Sequence, residues 1–349
     1  HRMEQTVVTP LFIHLKQNKF NFMNFLKTFL RAFLCFILII SCASDEEVID
    51  NSKEVVPGVK LVNSGHLYTN CDPNDTVYCT NEMQTWINKG VSMMKTQNAD
   101  VLVVTWNVGK FVSEDGFDKY NTHEVLLTSP EIESILSKIS DWLKGTCLST
   151  NQQSEHIKEY RNYLENGADA SSQFVLCSNS RIVLAAFETK NPGANEGRDI
   201  PAFITHELYH AFQQDLGNQS CTNTREGSSS SNGRAIVEGA AVYFGEYAAG
   251  QLMNYDGVNR MLGKIYNDFQ GSGDKSIEAG LNWGAGLRLM IERNWLNESS
   301  ILDGSLFHNC ETETLYTNAN ENIVKIKDLW YMIEKDGDNY KFSDQALGN

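Results

Sequence analysis

The chain has 349 residues, 41% of them apolar, which is enough for one large domain or two ordinary ones with a sizeable core. Five of the 29 basic residues and one of the 44 acidic residues fall within residues 1–41, so the remainder sets 24 basic groups against 43 acidic ones. That balance argues against a nucleic-acid partner, which needs a basic footprint, and suits a soluble, surface-exposed protein.

Residues 23–31 carry Lys27 and Arg31 and read as the basic start of a secretion signal; residues 32–40 are its apolar core, too short to span a bilayer comfortably. Ile39-Ile40-Ser41-Cys42 resembles a bacterial lipobox with Cys42 as the lipidated residue, and Ser44-Asp45-Glu46-Glu47 resembles the surface-export signal of Bacteroidetes lipoproteins. The expected organisation is a leader over residues 1–41, of which 1–22 precede a plausible start at Met23. A lipid-anchored, acidic, flexible tether follows over 42–58, then a single catalytic domain over 59–349. Membrane contact is expected only through the lipid on Cys42, at the outer membrane or cell surface of a bacterium. Beyond the leader, Cys71, Cys79, Cys147, Cys177, Cys221 and Cys310 allow up to three disulfides, with Cys71 and Cys79 the closest pair. None has the Cys-x-x-Cys spacing of a thiolate metal site.

Residues 59–80 read as loop. Met83, Trp86, Ile87, Val91 and Met94 recur at threes and fours and predict a helix over 81–97. Residues 100–106, rich in Val, predict a buried strand. Ser129-Pro130-Glu131 opens a helix to about Leu143, with Ser129 as cap, and a second helix is expected over 154–165. Residues 173–177 and 181–187 predict a hairpin across Ser178-Asn179-Ser180. After a turn-rich loop the character changes to helix, over 200–216, 234–249, 256–269, 279–295 and 320–335, interrupted by a polar loop at 217–233. Trp283-Gly284-Ala285-Gly286 lacks a phosphate-loop lysine and reads as close helix packing; residues 324–333 read as a core-facing amphipathic helix. The fold class is α+β, with a β-containing N-terminal half and a mostly helical C-terminal half.

The chemistry lies in Thr205-His206-Glu207-Leu208-Tyr209-His210. Asp199 is the expected cap of its helix and Pro201 belongs to the first turn. Ile204, Leu208, Ala211, Phe212 and Leu216 form an apolar stripe, and His206 and His210 stand four apart on the opposite flank. Two imidazoles one helical turn apart can converge on one tetrahedral ion, with Glu207 beside them within reach of a metal-bound water. A catalytic site needs a third ligand, and no Gly-x-x-His follows His210. The best candidate is Glu238, an acid among small residues in Ala235-Ile236-Val237-Glu238-Gly239-Ala240, where a carboxylate is costly without a strong partner. Glu246 is the runner-up, as ligand or supporting group, and Glu226 is weaker. His66, His123 and His156 read as surface or structural groups.

The run His206-Glu207-Leu208-Tyr209-His210-Ala211-Phe212-Gln213, followed by Ala235-Ile236-Val237-Glu238-Gly239-Ala240-Ala241, resembles the gluzincins, the thermolysin-like zinc metallopeptidases. The match covers about residues 200–250, and Val242 stands where thermolysin has an acid four residues after its ligand. The resemblance implies a zincin-like fold and Zn²⁺ held by His206, His210 and Glu238. It implies Glu207 as general base in the hydrolysis of a peptide or protein substrate, and an oxyanion donor from outside the motif. Tyr243, Tyr247, Tyr266 and His308 are candidates for that donor. The 173–187 hairpin would supply an edge strand for an extended peptide. A non-catalytic surface lipoprotein that keeps the fold as a binding module, and a zinc hydrolase of non-peptide bonds, remain open.

Overall fold

A strand covered on both faces must be apolar along its whole length, and residues 101–104 and 182–187 meet that condition. A computed structural model describes residues 54–56, 59–63, 80–94, 100–113, 122–167, 170–177, 180–188, 196–216, 232–273, 280–307 and 321–348. Cys42, Cys71, Cys79, His66, Glu226 and His308 lie outside them. All described residues belong to one compact unit, Asn51–Asn349.

Six strands form one sheet: β1 (Glu54–Val56), β2 (Val59–Asn63), β3 (Asp100–Ser113), β4 (Thr122–Val125), β5 (Ala170–Cys177) and β6 (Ser180–Glu188). Their order is β1-β2-β3-β6-β5, with β4 paired to the outer part of β3. β2, β3 and β6 run parallel, Val59 opposite Val101 and Asp100 opposite Ser180. β1, β4 and β5 are antiparallel to their neighbours. The tether and the loop expected before residue 80 thus contain two strands. These short β-branched runs form a local antiparallel pair, Val56 opposite Val59, and β2 is joined to the rest of the sheet only through the distant β3.

The central strands divide two cores between their faces. Val101, Val103, Val183, Ala185 and Phe187 enter one; Leu102, Val104, Trp106, Ile182, Leu184 and Ala186 enter the other. Helices α2 (Ser129–Leu143) and α3 (Thr150–Asn166) cover the second core with Ile132, Ile135, Ile139, Tyr160 and Tyr163. The cap of α2 is Thr128 rather than Ser129, because Glu131 folds back. Its carboxylate accepts from the Thr128 N–H and hydroxyl, each at 2.7 Å. The first core lies beneath α1 (Thr80–Met93), through Met83, Trp86 and Ile87, and beneath the C-terminal helices.

Those helices are α4 (Glu196–Leu216), α5 (Asn232–Met253), α6 (Gly257–Ser272), α7 (Gly280–Glu292), α8 (Glu298–Leu302) and α9 (Glu321–Lys327). The helix expected over 320–335 ends at Lys327. The chain then forms a hairpin, β7 (Ile333–Asp336) and β8 (Asn339–Phe342), before a last turn, α10 (Asp344–Leu347). Asp336-Gly337-Asp338 explains the difference: Gly337 has φ +63°, the left-handed geometry a tight hairpin turn requires. Ile326, Trp330 and Ile333 still reach the first core, as their spacing suggested. The architecture is therefore a mixture of α and β, with strands concentrated before residue 190 and helices after it. Among the described residues no helix is long and apolar enough to cross a membrane. Cys147 is in a disulfide.

Candidate metal centre

Helix α4 begins at Glu196, earlier than Asp199, so Pro201 lies inside it rather than in its first turn. The helix packs against the sheet at β5 and β6 on one side and against α5 on another. Ile204, Thr205, Leu208 and Tyr209 are all fully buried, so the helix is enclosed nearly all round rather than striped on one face. The Tyr209 hydroxyl donates to the Ile301 carbonyl at 2.7 Å. The Thr205 hydroxyl donates back to the Pro201 carbonyl at 2.6 Å.

The small residues of α5 set how closely it meets its neighbours. A Cβ on Gly245 would stand 2.4 Å from the Ala202 carbonyl oxygen and 3.2 Å from the His206 Cβ. One on Gly239 would stand 2.9 Å from the Trp283 Cβ, and one on Gly284 2.9 Å from Val242 Cγ1. The Trp283-Gly284 segment is a site of close helix packing, as its composition suggested.

This contact brings Glu238 of α5 over the two histidines of α4. The His206 and His210 Nε2 atoms are 2.9 Å apart, and the Glu238 Oε2 lies 3.1 Å from the second and 3.7 Å from the first. The two rings stand at 86° to one another. Two ligands bound to one tetrahedral ion at zinc–nitrogen distance sit about 3.3 Å apart, so all three separations fit a common ion. Among the described residues these three form the one cluster of His, Cys, Asp and Glu with ligand atoms close enough to share a metal. Two imidazoles and a carboxylate are a donor set suited to zinc. Glu207 is buried, with its Oε1 3.9 Å from the His206 Nε2.

Gln213, for which the sequence suggested no role, holds this arrangement. Its Nε2 donates to the Val237 carbonyl at 2.8 Å, and its Oε1 lies 2.8 Å from the His210 Nδ1. The position three residues after His210 was the available signal, since it puts both side chains on one helix face.

The remaining candidates are placed elsewhere. The buried Glu246 carboxylate accepts from Arg260 at 2.9 Å and Lys264 at 3.0 Å, both on α6, so it ties α5 to α6. Glu246→Gln is expected to leave metal content unchanged and to lower unfolding stability by about 2 kcal/mol. Metal analysis beside denaturant melts checks this, and loss of the metal would return Glu246 to the centre. The Tyr243 hydroxyl donates to Glu298 at 2.5 Å and also meets Arg288 at 3.2 Å. Burial and then the Glu298 hydrogen bond push its pKa up, so it remains a neutral donor committed to that carboxylate. Tyr247 lines a cavity of about 550 Å³ with Tyr255, Arg288, Glu292 and Glu298, and none of His206, Glu207, His210 and Glu238 lines it. Tyr266 packs against Tyr340 of the C-terminal hairpin, ring centres 5.4 Å apart. Of the histidines read as structural, His156 stacks on Tyr160; the backbone N–H of His123 donates to the Gly167 carbonyl.

No family model, no curated protein and no solved structure matches the chain.

Proposed function

We propose that the protein is a zinc-dependent metallopeptidase of the gluzincin type, exported and held at a bacterial surface by a lipid on Cys42. The observation that carries this reading is the convergence of His206, His210 and Glu238, from two helices, with Glu207 alongside. A bound zinc ion supplies Lewis acidity, making a water acidic near neutral pH and polarising a carbonyl. Glu207 takes the proton of the attacking water and returns it to the leaving amine. His206, His210 and Glu238 would hold the ion.

Strand β5 ends the sheet and packs beside α4. An extended peptide added to the edge of β5, the last strand of the sheet among the described residues, would gain sequence-tolerant affinity from main-chain hydrogen bonds. A disulfide at Cys147 supports an oxidising compartment, and the acidic surface accords with export rather than nucleic-acid binding.

The purified protein is expected to contain one zinc per chain, to cleave an unstructured polypeptide, and to lose that cleavage on chelation and regain it with zinc. His206→Ala is expected to lose both metal and activity. Zinc without cleavage of any polypeptide would favour the non-catalytic binding module, and ester hydrolysis alone the non-peptide hydrolase. Absence of zinc after growth with the metal would end the reading.

A further inference from the structure

We infer that Gln213 is a positioning residue that presets His210 for the metal and couples it to the helix carrying Glu238; this rests on the metal-centre reading above. A backbone carbonyl can only accept a hydrogen bond. The Val237 oxygen, 2.8 Å from the Gln213 amide nitrogen, therefore fixes which end of that amide is the NH₂. The Gln213 oxygen is then the atom that faces the His210 Nδ1 at 2.8 Å, and it can only accept. His210 must carry its proton on Nδ1. In the neutral ring the Nε2 is left with a lone pair, aimed at the space shared with the His206 Nε2 and the Glu238 Oε2.

The same side chain crosses between helices. It leaves α4 one turn beyond His210 and ends on the carbonyl of the residue before Glu238. One buried amide thus sets the tautomer of one ligand and the backbone position of another. Gln213 is 5% exposed, so water cannot readily replace it in either bond. Supporting groups of this kind typically contribute 10–100-fold to metal affinity.

The test uses the whole chain and zinc alone, with affinity read by competition against a chromophoric chelator. Gln213→Met preserves the length and removes both bonds; it is expected to weaken zinc binding roughly 10–100-fold. Gln213→Glu keeps an acceptor for the Nδ1–H and loses the donor to Val237, and is expected to fall between the two. It also stands in if the Met variant does not fold. Long-range ¹⁵N–¹H spectra of the zinc-free wild type should show the neutral His210 ring protonated on Nδ1, and those of Gln213→Met should lose that preference, neither of which a packing role alone would require. His210→Ala separates the two levels of inference. If it abolishes zinc binding while both Gln213 variants bind as wild type does, the role of Gln213 is overturned and the metal centre stands. If His210→Ala binds zinc as tightly as wild type, the metal centre falls and the role of Gln213 falls with it.

Discussion

Glu207→Gln is expected to lower kcat/KM for peptide cleavage by roughly 10²–10⁴-fold while leaving one zinc per chain. The substitution keeps the shape and polarity of a side chain that is already buried beside His206, so the helix and its ligands should not move. What it removes is the ability to accept a proton from water at the moment of attack. The metal is expected to stay because the proposed ligands are His206, His210 and Glu238, none of which is altered. Loss of a group that acts only in the transition state should appear in kcat, with KM little changed. Initial rates at several substrate concentrations, with metal content measured on the same sample, decide the matter. Wild-type turnover by the variant would sink the role of Glu207, and loss of zinc would show that Glu207 supports the ligands instead.

Gly245→Ala should be the most damaging single-atom change near the site. The added carbon would stand 2.4 Å from the Ala202 carbonyl oxygen, a backbone atom that no rotamer change can move aside. α4 and α5 must separate, and the nearest side chain displaced is that of His206, whose Cβ lies 3.2 Å from the same point. We expect a loss of about 3 kcal/mol in unfolding stability. Zinc affinity is expected to fall at least tenfold, because ligands from both helices must meet one ion. Denaturant melts of the metal-free protein and zinc competition measure the two effects separately. Alanine tolerated in both would mean that the helices are not held at the distance described.

Much of this site was legible because its determinants are local. His206 and His210 lie one turn apart on one helix, and any regular helix through them brings their rings together. Glu238 was legible for a different reason: a carboxylate among Gly and Ala signals both close approach and the need for a partner. The buried strands were legible from apolar runs without alternation. Glu246 was harder. It lies near Glu238 in sequence and on the same helix, but its partners Arg260 and Lys264 belong to the next helix, whose packing angle no local pattern encodes. Gln213 needed both its own helix and the position of a carbonyl on α5, so its role depends on a tertiary contact. The C-terminal hairpin was missed because Val324, Ile326, Leu329, Trp330 and Ile333 imitate helical spacing. The turn residues that follow outweighed it.

The three ligands are unequally sheltered: the side chain of His210 is 4% exposed, that of His206 18% and that of Glu238 32%. If a metal ion is held among them, the most open side is the carboxylate's, and a competing chelator would be expected to meet Glu238 before the histidines. A change at Glu238 would then be felt in the exchange rate as well as in the equilibrium affinity.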